Sequence, residues 1–181
     1  MIGIIPFFKQ YKKEKKENTK IEDYISETSY IDNTNKTDND DKEESYLLVL
    51  EIKKIGLRKG VYSLESKQNT IEKNVSIMKE SSLPNKENGN VVLEAHNGTA
   101  DISYFNQLHL LEIGDKASIY YEGTKYTYII ENIYDVSKDG EVEVYRDNKK
   151  TTLTLITCKK NTKDRQLVII LYLDSKEEYW D

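Results

Sequence analysis

Cysteine is nearly missing from this chain of 181 residues: Cys158 is the only one. A single thiol excludes an intramolecular disulfide and a cysteine-rich zinc site. Proline is almost as scarce, with two residues, and three phenylalanines stand against fourteen tyrosines. That imbalance reflects an AT-rich coding sequence as much as any function. No run reaches the roughly 18 apolar residues that a membrane-spanning helix needs. An excess of positive charge is absent too. The net charge is −5 and the pI about 5.3, which argues against a nucleic-acid binder, whose footprint is basic.

Hydrophobic residues make up 37 % and charged residues 33 %, with a mean hydropathy of −0.73. These averages describe one ordinary domain plus a polar tail. The tail is visible. From Tyr11 to Ser45 the chain is nearly all Lys, Glu, Asp, Asn, Thr and Ser. "NTNKTDNDDKEES" carries too little apolar surface to offset its ordering entropy, so 1–45 reads as a polar, disordered linker. The competing reading is a charged surface helix over "KKEKKENTKIEDYI". Ahead of it, "MIGIIPFF" reads as the tail of a membrane anchor or as a loose apolar end.

The character changes at Tyr46, and 46–181 reads as the folded domain. "YLLVLEI", "GVYSL", "VSIM", "VVLEAH", "KASIYYE", "KYTYIIENIYDV", "EVEVY", "TTLTLITC" and "RQLVIILYL" are short β-rich runs. Turn residues separate them, as in an all-β barrel or sandwich of about eight strands. Only "ISYFNQLHLLE" has helical spacing, with Phe105, Leu108 and Leu111 on one face.

Alternation along a strand assigns faces. In "TTLTLITC", Leu153, Leu155 and Thr157 point one way, and Thr152, Thr154, Ile156 and Cys158 the other. In "VVLEAH", Val91, Leu93 and Ala95 oppose Val92, Glu94 and His96. Cys158 and His96 both fall on the more polar side, which in a small filled barrel is the outside. That weighs against Cys158 as a buried hydrophobe. A thiol becomes a useful nucleophile beside a base or a positive field. His96, before the turn signal "NGT", is the histidine available at a rim, since His109 lies among leucines. Arg165 could donate hydrogen bonds to an oxyanion. Spacing alone leaves open whether Cys158, His96 and Arg165 converge, and Arg146 competes with Arg165.

At these residues the chain resembles a family. "TLITC" is similar to the TLxTC signature of sortases, cysteine transpeptidases of Gram-positive cell surfaces. "IKKIGLRKGVYSL", "NVVLEAHNG" and "YFNQLHLLEIGDKASIY" resemble further family segments. The 62 positions between His96 and Cys158 also suit it. The resemblance spans about Tyr46 to Leu173. It implies an eight-stranded β-barrel with one or two short helices in its connections. By position, Cys158 matches the nucleophile, His96 the general acid/base and Arg165 the oxyanion-stabilising arginine. Thr157, Ala95 and Ile156 match positions at the substrate groove. Ala95 departs from the family's usual glycine. The seven positions from Cys158 to Arg165 are fewer than in most members.

The implied reaction cleaves an LPxTG-like sorting signal through a thioester. The surface protein then passes to a peptidoglycan-precursor or pilin amine at the outer face of the cell membrane. The implied membrane association runs through the N-terminus. No cofactor is expected. Glu80, Glu87, Glu141 and Glu143 read as scattered surface carboxylates, so no metal is expected either, since Ca²⁺ wants six to eight oxygens. Between Tyr134 and Thr151 there is no room for the long inserted helix of one subclass. The alternative is a catalytically silent barrel that binds peptide or cell-wall polymer.

Overall fold

The computed structural model describes residues 4–29, 44–139 and 142–179, with backbone alone for 4–10. Eight strands follow one helix: α1 (Ile4–Ser29), β1 (Leu48–Ile52), β2 (Leu57–Val61), β3 (Ser76–Ile77), β4 (Asn90–Glu94), β5 (Lys116–Tyr121), β6 (Thr124–Ser137), β7 (Thr152–Cys158) and β8 (Arg165–Glu178). They form one sheet in the order β2-β1-β5-β6-β8-β7-β4-β3. The sheet curls into a nearly closed barrel, as the β-rich runs predict. Asn74 helps close it: its buried side-chain amide donates to the Gly60 carbonyl of β2 at 2.7 Å, just ahead of β3. All pairings are antiparallel except β4 with β7.

The inward residues follow the expected alternation. Leu48, Leu50 and Ile52 of β1, Val91 and Leu93 of β4, Leu153 and Leu155 of β7, and Ile169 and Leu171 of β8 fill the core. Phe105, Leu108 and Leu111 join them. Their segment is a set of turns with one 3₁₀ turn at Leu108–Leu110 rather than a full helix, and His109 within it is exposed. The "GD" of "LEIGDK" makes the turn into β5. Gly114 has φ +92°, a region side chains disfavour, and the Asp115 carboxylate accepts from the Glu112 amide at 2.7 Å.

Two further expectations are corrected. Within "EVEVY", Val142 to Tyr145 is not a strand and runs without ladder pairing beside β4 and β7, while Glu141 lies outside the described residues. Its chain is tethered instead by Tyr134, whose hydroxyl donates to the Glu143 carbonyl and accepts from the Tyr145 amide. The second correction concerns the polar tail. Tyr11 to Ser29, read as disordered linker, is helical and belongs to α1. Its Lys and Glu residues are good helix formers. Ile21, Tyr24 and Ile25 make a narrow apolar stripe at helical spacing, and they cover Tyr46 and Val49 on the outside of β1. The Tyr24 hydroxyl donates to the Leu47 carbonyl at 2.7 Å, and Glu17 pairs with Lys59. Averaging composition over the whole tail hides so short a stripe. The rest of the expected linker, 30–43, lies outside the described residues. No described helix is long and apolar enough to cross a membrane.

Candidate active site

The ends of β4, β7 and β8 meet at one rim of the barrel. In the parallel ladder Asn90 pairs with Thr152 and Glu94 with Ile156, a constant offset. Carried two residues further, the same offset sets His96 beside Cys158. The strand ends stay joined past the ladder. The Ala95 amide donates to the Ile156 carbonyl, and the Thr157 hydroxyl donates to the Ala95 carbonyl at 2.7 Å. The Asn97 side chain donates to the Cys158 carbonyl at 2.8 Å. The 62-residue spacing read in the sequence is therefore the register of two adjacent strands.

Cys158 is a free, half-buried thiol. Its side chain shares the outward face with Ile156 and Val92, as alternation predicts. That face is not open water along its length, because Thr152 and Thr154 are fully buried. Between Asn90 and Ile156 it borders a cavity of about 500 Å³. Met78, Val92 and Ile156 line it from the barrel, and Val142 and Val144 from the segment misread as a strand. Of the residues expected to contact substrate, Ile156 lines this groove. Ala95 and Thr157 do not present side chains to it: both are buried on the core side, Ala95 at 5 % exposure and Thr157 at 3 %. Ala95's methyl is a core contact, so it does not narrow the groove.

His96 is half-buried, and its carbonyl accepts from the Phe105 amide at 3.1 Å. Glu94 stands on the same face of β4. Burial and the charge of Glu72 push its carboxyl above the usual range, neighbouring His96 pulls it down, and Glu80 adds to the rise. The rim thus carries a thiol, an imidazole and a carboxylate in electrostatic reach of the imidazole.

Arg165 opens β8 beside the end of β7. The Lys159 amide donates to its carbonyl at 2.9 Å, closing the six-residue loop. Its guanidinium does not lie on the face of Cys158. Cys158 pairs with Gln166 and Gln166 with Val136, whereas Arg165 pairs with Ser137. Alternation therefore sets Arg165, Lys159 and Asp135 on the opposite face from Cys158. There Arg165 Nε bonds the Asp135 carboxylate and Nη2 donates to the Asp135 carbonyl at 2.9 Å. Lys159 Nζ reaches the same carboxylate at 2.9 Å. Lys159, then Arg165, holds the Asp135 carboxyl below its usual range. Arg146 is no competitor, since its guanidinium bonds Asn88, Lys150 and Thr152 at the far end of β7.

Sequence reasoning missed Asp135 and Lys138. Lys138 Nζ lies 3.8 Å from Cys158 Sγ. Neither has a motif to flag it; both follow from the cross-strand register of β6. Among the described residues, no cluster of three or more His, Cys, Asp or Glu side chains could hold a metal ion.

The family model of the Sortase domain matches residues 50–173, more than half of the chain. Solved structures share the fold. Sortase A of Listeria monocytogenes is 21 % identical, with a TM-score of 0.62 over 74 % of this chain and 90 % of that one. A Clostridium perfringens sortase D5 transpeptidase is 22 % identical, with a TM-score of 0.67 over 88 % and 98 %. Sortase C1 of Streptococcus agalactiae is 19 % identical, with a TM-score of 0.65 over 90 % of each chain. No match was found among curated proteins. With a thiol at the rim of an eight-stranded barrel, a histidine in register beside it and the domain match over both, the chain belongs to the sortase family of cysteine transpeptidases.

Proposed function

We propose that this protein cleaves an LPxTG-like sorting signal and transfers the released acyl group to an amine. The observation that carries the reading is the parallel register of β4 and β7, which brings the strand ends carrying His96 and Cys158 together next to a cavity that Ile156 lines. The groove suits an extended peptide, with Val92, Ile156, Val142 and Val144 receiving apolar side chains.

The Cys158 thiol passes its proton to His96 as its sulfur attacks the Thr–Gly carbonyl carbon. The carbon–nitrogen bond breaks as His96 gives a proton to the leaving amine, and a thioester remains. An incoming amine then attacks the thioester. His96 takes its proton, the carbon–sulfur bond breaks, and the sulfur leaves as thiolate. By family position Arg165 steadies the oxyanion, which requires it to leave Asp135. The acceptor is a peptidoglycan-precursor or pilin amine, which places the reaction at the outer face of the cell membrane. No cofactor enters these steps.

The test is incubation with a panel of LPxTG-type peptides and hydroxylamine. Wild type should give the hydroxamate, and Cys158→Ala and His96→Ala should lose it by 10²-fold or more, on the order of a general acid/base contribution. Equal processing by wild type and Cys158→Ala would refute the reading. A silent peptide-binding barrel predicts peptide retention without product.

A further inference from the structure

The structure assigns Lys138 as the cation that acts on the reacting sulfur, a role the family pattern gives to no lysine. The inference rests on the reading of Cys158 as nucleophile and adds a catalytic residue to that site.

Two independent observations carry it. The first is contact: Lys138 Nζ is 3.8 Å from Cys158 Sγ. The second is register. Val136 pairs with Gln166, and Gln166 pairs with Cys158, so the three share one face. Lys138 lies two positions beyond Val136, and alternation returns it to that face. Its backbone is held there, because the Lys138 amide donates to the Asp164 carbonyl at 2.7 Å and extends the β6–β8 ladder by one step. The lysine therefore reaches the sulfur from a fixed strand end.

The nearest alternatives are spent elsewhere. Arg165 and Lys159 both converge on the Asp135 carboxylate across the sheet. A guanidinium bonded twice to one aspartate gives little to a sulfur on the other face. An ammonium at about 4 Å attracts a unit negative charge even in a wet, high-dielectric rim. When the thioester is released, the negative charge returning to sulfur would meet the Lys138 ammonium. As the sulfur–carbon bond forms, negative charge passes to the carbonyl oxygen, and His96 supplies the proton to the leaving nitrogen. Lys138 keeps its own protons throughout and acts by charge alone.

The experiment compares alkylation of Cys158 by anionic iodoacetate and neutral iodoacetamide at neutral pH. An adjacent ammonium draws in the anionic reagent selectively. Lys138→Ala should lower the iodoacetate-to-iodoacetamide rate ratio by roughly fivefold, and Lys138→Arg should restore it. Lys149→Ala, the same charge change at a distant turn, should leave it unaltered. In the peptide assay, kcat/KM should fall about tenfold in Lys138→Ala and recover in Lys138→Arg. Lys138 is exposed, so these variants should fold. An unchanged ratio, or wild-type peptide processing by Lys138→Ala, overturns the proposal and leaves the transpeptidase reading standing. A falling ratio in a protein whose wild type processes no sorting peptide supports the contact and overturns the transpeptidase reading instead.

Discussion

Two outward faces of the barrel meet different fates. On β1 the outward Val49 is covered by the chain's own helix, through Ile21, Tyr24 and Ile25. On β4 and β7 the outward Val92 and Ile156 are left to a cavity of about 500 Å³. Both are apolar positions on faces that also carry polar groups: Glu51 beside Val49, and Glu94 and Cys158 beside Val92 and Ile156. The first is sealed, and its carboxylate is engaged by the Tyr120 hydroxyl at 3.1 Å. The second ends in a thiol, an imidazole and an ammonium. A cavity that the chain roofs with Val142 and Val144 but does not fill, next to reactive groups, is a place for a substrate to enter.

Substitutions on the two faces should therefore separate stability from turnover. The largest stability effect is expected on the sealed face. Ile21→Ala deletes fully buried methyl groups beneath α1 and should cost about 2–4 kcal/mol. Denaturant unfolding measures that loss, while activity per folded molecule stays near wild type. If peptide turnover collapses with folding intact, the helix is part of the groove and the comparison fails.

On the groove face the expected effect is on turnover. Ile156→Ala trims a groove wall and should raise KM roughly tenfold, as a lost apolar contact of about 1–3 kcal/mol does, on top of the stability cost of truncating a side chain that is itself buried. An unaltered KM across the peptide panel would show that the groove does not hold the substrate.

The smallest effect concerns Glu94. Its carboxyl is raised by burial and by Glu72, so the folded state holds its proton to higher pH than the unfolded state. Stability is then fully present below the unfolded carboxyl pKa and is lost as pH rises through the folded one. Glu94→Gln removes that loss. Thermal unfolding should show the variant gaining on wild type at pH 7 and matching it most closely at pH 3–4. A gain that grows toward acid would contradict the assigned cause.

The groove side was the more legible of the two in the sequence. Alternation in "TTLTLITC" and "VVLEAH" set Cys158 and His96 on one outward face, and their spacing proved to be a strand register. Ile156 and the core positions followed from the same period. Thr157 and Ala95 show the limit of carrying roles over by position: the alternation already turned them inward, and the structure buries them. "EVEVY" has the period of a strand because Val142 and Val144 face the groove together, and a groove wall patterns like a sheet face. Lys138, Asp135 and the fate of Arg165 were not legible, since they depend on which residue of β6 stands opposite which residue of β8. On the sealed side, three residues of α1 dock against Tyr46, Val49, Tyr62 and Tyr120, and three apolar positions are too few to lift a polar segment above its average.

In the proposed reaction the acyl group passes to Cys158 Sγ. Intact-mass spectrometry after brief mixing with LPxTG-type peptides, without an acceptor amine, tests it most directly. Wild type should gain a mass equal to the acyl fragment, discharged by hydroxylamine and absent from Cys158→Ala. No adduct across the panel, or one that persists in Cys158→Ala, would contradict it.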